Sequence, residues 1–281
     1  VKYFGLTSSG SKRWLDLYFM NLQPSELMKI GLILFLAKYY HRISIDSINS
    51  FRYLLLPITV LVAPIILVAT QPDLGTSILI AAGGIIVAWL AGVKAKFFTI
   101  SGLAMLALLP IAISFLKPYQ KSRILTFLNP ERDPLGAGYQ IIQSKIAIGS
   151  GGLFGKGWLN GTQGQLDFLP ERTTDFIFSI LAEEFGLIGV LFVISIYLFI
   201  VGRGLLIAIN SDDLFSRLAA SSISLTFFIY VFVNIGMTTG LLPVVGVPLP
   251  LISKGGTSSL TLMASLGILM SLHTHKRLIP K

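Results

Sequence analysis

The chain has 281 residues, 53% of them hydrophobic and 12% charged, with a mean hydropathy of +0.78 and no cysteine. A soluble domain carries about 25% charged residues, so half that value in long apolar runs excludes an ordinary water-soluble fold, and the missing thiols exclude disulfides and thiolate metal sites. The formal charge of +9, from 22 basic and 13 acidic side chains, would point to nucleic acid in a soluble protein; here it reads as a topology signal, and no nucleic-acid partner is expected.

The sequence opens on Val1 with no signal-peptide pattern before Gly5-Leu6-Thr7, which suggests that the natural N-terminus is missing. Seven apolar runs then follow as predicted membrane helices: Pro24–Tyr40, Tyr53–Thr70, Leu74–Val93, Phe97–Leu116, Gly186–Ile209, Leu218–Thr239 and Thr257–His273. If they alternate, Lys38, Arg42, Arg52, Lys94, Lys96, Arg203, Arg217, Lys276, Arg277 and Lys281 all fall on one side. By the positive-inside rule that side is cytoplasmic, with the C-terminus inside. Residues 117–185 then form one large extracytoplasmic loop, and loops of that length usually carry function. The expectation is an all-α, polytopic bundle of about seven spans, forming a single membrane domain over 1–281.

In chain order, the first motif is Gln23-Pro24-Ser25-Glu26-Leu27-Met28-Lys29, where Pro24 suits a first helical turn and Glu26 and Lys29 share a helix face. They read either as an ion pair anchoring the helix or as a substrate or ion contact within the membrane. In Gln71-Pro72-Asp73, Asp73 opens the next helix, and capping accounts for it. Residues 139–148 fit a short amphipathic helix lying in the interface. The turn Gly149–Gly157, with five glycines and Lys156, reads either as a flexible loop or as a nest of N–H groups for an anion. Asp175 is the last ionisable group in Leu169–Phe178; it reads equally as a helix cap or as a carboxylate whose basicity rises at the water–lipid boundary. Three prolines in Gly240–Pro250 call for irregular backbone beside protein or a wet cavity. His41, His273 and His275 do not make a metal set, and no internal repeat marks a transporter.

The stretches Gln23–Lys29, Gln71–Ser77, Asp133–Gly152, Leu169–Gly186, Asn234–Gly256 and His273-Thr274-His275 resemble, in order, the SEDS family of bacterial cell-wall proteins, on its rod-shape branch rather than its division branch. The resemblance implies a ten-helix fold of which this chain supplies the last seven. It implies a peptidoglycan glycosyltransferase in the bacterial cytoplasmic membrane that polymerises lipid II at the outer face. A class B penicillin-binding protein of the elongation complex, and membrane lipids, are the implied partners. The family's essential aspartate falls on Asp175. Lys254 stands where the family usually has Tyr, and adds a cation beside the outer cavity.

An α-linked glycosyl pyrophosphate giving a β-linked glycan needs one inverting displacement, and so one base for the acceptor hydroxyl. Lys145, Arg172, Arg13 and the Gly151-Gly152 turn are the candidates to receive the departing pyrophosphate. No cofactor is called for; a divalent cation could share that work, although no ligand set is readable. Two other readings compete: a flippase for lipid II, using Glu26 and Lys29 in a polar path, and a scaffold with no chemistry.

Overall fold

The structure is a computed structural model and describes residues 5–8, 11–16, 18, 21–71, 73–115, 121, 125–127, 129–130 and 137–274. Parts of the motifs above (Pro72, residues 131–136, His275 and the basic residues 276–281) lie outside them.

The chain falls into two compact units. The first comprises residues 1–93, 197–230 and 254–281. It opens with three short antiparallel strands that the apolar pattern did not announce: β1 (Leu6–Ser8), β2 (Ser11–Asp16) and β3 (Asn21–Leu22), paired in that order, with Leu6 opposite Trp14 and Leu15 opposite Leu22. Helices α1 (Pro24–His41), α2 (Phe51–Thr70) and α3 (Leu74–Leu90) follow. On α1, Glu26, Lys29, Ile33, Leu36 and Tyr40 recur at helical spacing and are buried. Gly83 and Gly84 of α3 admit neighbours where a side chain would intrude: Ile33 of α1 lies 3.5 Å from where a Cβ of Gly83 would stand, and Leu61 of α2 occupies that place at Gly84. Small residues allow such approach where apolar burial does not drive helices together. Outside these seams α2 presents Leu55, Ile58, Ile66 and Leu67 outward, as a lipid-facing helix does.

The second unit comprises residues 94–196 and 231–253. It holds α4 (Ala95–Phe115), α5 (Ala137–Ser150) and the single turn α6 (Thr162–Gln165). Helices α7 (Ile177–Ile209) and α8 (Leu214–Thr238) give residues to both units, and α9 (Gly256–Thr274) returns to the first. The fold is thus the expected all-α membrane bundle, its seven long helices standing on the seven predicted runs. Among the described residues three of them, α2, α7 and α8, are long and apolar enough to cross a membrane by length and composition alone, with mean hydropathy of 2.4, 2.6 and 1.9.

One boundary differs. The predicted span begins at Gly186, whereas helix already runs from Ile177 and is interrupted at Gly186, whose φ of 65° and ψ of −165° are not helical. The adjacent carboxylates Glu183 and Glu184 broke the apolar run in the sequence, yet both are buried.

Candidate active site

In the second unit, residues 171–176 form a tight turn in which the N–H groups of Thr174 and Phe176 both donate to the Glu171 carbonyl. Phe176 anchors it, packed with Ala147 of α5 and Leu169, all three fully enclosed. Asp175 stands between that anchor and the surface, half-buried. Its backbone is held from two directions. Asn234 of α8, wholly buried, donates through Nδ2 to the Asp175 carbonyl at 3.0 Å and to the Val247 carbonyl at 2.7 Å. Ser253 Oγ donates to the Thr174 carbonyl at 2.6 Å and accepts from the Leu249 N–H at 2.7 Å. The proline-rich segment 240–253 is irregular, as its composition requires, and its carbonyls and N–H groups are satisfied in part by these two side chains. Its Gly246 has φ of +72°, and a Cβ there would lie 3.4 Å from Asp175 Oδ2. The carboxylate therefore faces a backbone without a side chain.

Lys145 projects from α5 across Gly240, the positive-φ residue that ends α8 (φ +75°), where its amine lies close to the negative end of the helix dipole. Behind it Ser144 bonds the Ser179 hydroxyl and the Thr238 carbonyl, each at 2.5 Å, joining α5 to α7 and α8. Arg172 turns to Asp167 at 2.8 Å.

The glycine-rich turn behaves differently from an anion nest. Lys156 and Gly157 donate their N–H groups to the carbonyls of Glu183 and Glu184, at 3.0 and 2.9 Å, and Gly155 N–H goes to Gly151. In return the Gly152 and Leu153 carbonyls accept from Leu187 and Ile188 at 2.9 and 3.2 Å. The turn splices the broken α7, supplying partners to the groups that the interruption at Gly186 would orphan. Gly151 sits directly against the Ala182 carbonyl, where a side chain would collide. The N–H groups of 155–157 are committed to the protein itself and are not offered to an anion. Glu183, fully buried, completes the splice by accepting from Lys156 Nζ at 2.7 Å and from the Thr162 and Gln163 N–H groups at 2.9 and 3.2 Å.

In the first unit, Asp73 is the N-cap of α3, accepting from Thr76 N at 3.1 Å, with Gln23 Nε2 at 2.9 Å and Arg13 at 3.5 Å on the same carboxylate. Lys29 Nζ pairs with Glu26 at 2.6 Å and also bonds the Tyr230 hydroxyl, while Thr261 Oγ1 donates to Glu26 Oε2 at 3.3 Å. This buried group borders a small pocket, lined also by Thr226 and Ser265. Lys254 is exposed. Among the described residues no three acidic or His side chains gather as an ion-holding cluster.

Of the candidate residues, Lys145, Gly151, Gly152, Arg172 and Asp175 lie in the second unit, and Arg13, Glu26, Lys29 and Asp73 in the first. Asn234, Ser253 and Glu183 were not singled out from sequence. For Glu183 a signal existed, two carboxylates inside an apolar run; for Asn234 and Ser253 the bonded partners stand 59 and 79 residues away.

These features define a polytopic helical membrane protein with a fixed carboxylate on a turn at the mouth of a membrane helix. The chain belongs to the FtsW/RodA/SpoVE family, described as cell cycle protein, which it matches over residues 1–278, and the SEDS resemblance is borne out. It is 50% identical to the peptidoglycan glycosyltransferase MrdB of Escherichia coli K12, over all of this chain and 76% of that protein. It is 37% identical to the stage V sporulation protein E of Bacillus subtilis, over 97% of this chain and 74% of that one. Among solved structures it is similar to a chain of a peptidoglycan synthase complex (TM-score 0.82, 33% identity, 98% of this chain and 76% of that one). It is also similar to the rod shape determining protein RodA of Thermus thermophilus (TM-score 0.68, 28% identity, 98% and 73%).

Proposed function

We propose that this chain is a peptidoglycan glycosyltransferase that polymerises lipid II into glycan strands, with Asp175 as the general base. The observation that carries the reading is the clamped turn: neutral donors from Asn234 and Ser253 fix the backbone on either side of Asp175 while its carboxylate faces Gly246. A base needs that arrangement, a set position with room for a substrate alcohol beside it. The carboxylate takes the proton of the acceptor hydroxyl as its oxygen bonds the anomeric carbon of the donor. The bond from that carbon to the pyrophosphate oxygen breaks on the opposite face, which inverts the configuration. The lipid pyrophosphate leaves with its charge increased, and Lys145, beside Gly240, is a cation of this turn's own unit for it; Arg172, paired with Asp167, would exchange that partner first. A divalent ion arriving with the pyrophosphate would share the same charge.

The relatives named as glycosyltransferases favour transfer over flipping, and a flippase has no use for a positioned base. With the basic connections on the cytoplasmic side, the C-terminus is inside; on the SEDS resemblance the site would face the outer side of the cytoplasmic membrane, and the partner would be a class B penicillin-binding protein of the elongation complex that cross-links the new strands. The likeness to a chain of a peptidoglycan synthase complex supports that partnership.

The test is Asp175→Asn in the purified chain supplied with lipid II, read as glycan strands on a gel. The expected result is a rate lower by about 10²–10⁴-fold with thermal melting unchanged. Strand synthesis at the parent rate would end the assignment.

A further inference from the structure

The splice between the glycine-rich turn and α7 fixes the depth of that turn. Leu187–Gly202, up to Arg203 on the basic side, spans roughly 24 Å at 1.5 Å per residue, and the helix to Ile209 roughly 34 Å, against a hydrocarbon core of about 30 Å. The break at Gly186 therefore lies at the edge of the core. The turn is bonded to both sides of it, through Lys156 and Gly157 to Glu183 and Glu184 and through Gly152 and Leu153 to Leu187 and Ile188. Nothing in residues 152–159 can sit far from that boundary.

The side chains there point outward and are apolar. Leu153, Phe154, Trp158 and Leu159 are 60%, 79%, 67% and 59% exposed. The single ionisable residue between Gly151 and Leu166 is Lys156, and its amine turns inward to the buried Glu183 at 2.7 Å. The apolar face runs on into the span: Trp158 meets Phe185 with ring centroids 5.6 Å apart, and Ile188 and Phe192 are exposed beyond. A soluble loop would turn its one charge out and its aromatic residues in. This one does the reverse, and continues without interruption the surface by which α7 meets lipid.

We infer that residues 153–159 are embedded in the leaflet on the side of the Asp175 turn, so that the loop predicted from sequence to be extracytoplasmic includes a lipid-inserted wedge held by the Lys156–Glu183 pair. Its partner is acyl chain and headgroup, with Trp158 at the interface as tryptophans prefer. A docking protein is the competing occupant, but nothing in this surface complements a charged or hydrogen-bonding partner, whereas its continuity with α7 matches lipid.

The absence of cysteine from the whole chain makes the test direct. Nitroxide labels placed by Leu153→Cys or Phe154→Cys in the chain reconstituted in phosphatidylethanolamine–phosphatidylglycerol vesicles should collide with oxygen in preference to a water-soluble nickel chelate. Phe192→Cys should show the same preference and Asp167→Cys the opposite one. Preference for the chelate at 153 and 154, or shielding from both reagents by a bound protein, would overturn the inference. A second measurement leaves the turn intact. With Trp14→Phe and Trp89→Phe, the remaining Trp158 fluorescence should be quenched by acyl-brominated lipid and spared by aqueous iodide; the reverse pattern overturns the inference as well.

Discussion

Glu26 and Asp175 are both carboxylates at the mouths of apolar helices, but their surroundings differ in kind. Glu26 is 5% exposed and meets Lys29, Tyr230 and Thr261 through its own oxygens. Asp175 is half-buried, and the bonds that place it are made to the backbone of its turn by Asn234 and Ser253. In the first case the side chain's hydrogen-bonding capacity goes into the fold. In the second the fold grips the main chain of the turn that carries the side chain. A set position is what a base requires; compensation is what a buried charge requires to exist at all.

The largest expected effect tests the second half of that contrast. Asp175→Asn should slow glycan synthesis by about 10²–10⁴-fold and leave the melting temperature alone, whereas Glu26→Gln should move both. The first half is tested by Lys29→Met. A lone carboxylate left in that cluster should cost about 3–5 kcal/mol, read as a lowered melting temperature in detergent, and the double change Glu26→Gln with Lys29→Met should recover most of it. No recovery would mean that the two do not act as a pair.

Asn234→Ala sharpens the contrast from the side of the clamp. Two buried carbonyls lose their donor, so a stability loss of about 1–3 kcal/mol is expected. The rate of glycan synthesis should fall at temperatures where the variant is fully folded. If it does not, Asn234 is only a structural tie and the turn does not need fixing.

The smallest effect belongs to Asp213, outside the spans, which caps α8 through the Ser216 N–H at 3.1 Å. Burial pushes its carboxyl up, but hydrogen bonds from Ser216, together with the charge of nearby His41, outweigh this and hold it below the ordinary carboxylate range. Because the folded value is the lower one, its contribution is complete above the ordinary value and lost as the pH falls through the depressed one. Asp213→Asn should lower the melting temperature slightly at neutral pH, by no more than the about 1 kcal/mol of a cap, and the two proteins should converge in acid.

Most of the bundle was legible because lipid imposes long apolar runs, which survive any detail of packing; the seven helices and α5 stand within a few residues of their predicted places, α7 excepted. There Glu183 and Glu184 masked nine residues of helix, since a carboxylate satisfied by Lys156 and two backbone N–H groups is locally indistinguishable from one in water. The strands β1–β3 were invisible for the opposite reason: Ser11-Lys12-Arg13-Trp14-Leu15-Asp16 has no clean alternation. Asp175 was legible as a candidate through the resemblance, whereas from residues alone a cap explained it equally. Its clamp was not, because Asn234 and Ser253 look like any polar residue in an apolar segment until the chain has folded back on itself.

The spliced helix carries a consequence for genetics. Gly151, Gly155 and Gly186 all lie at the splice, so that a side chain at any of them would strike main-chain atoms of the segment it faces. A mutational survey scored by growth would rank these three as intolerant as the aspartate, through folding alone. Separating the two kinds of intolerance takes a measure of how much folded protein reaches the membrane alongside the count of surviving cells.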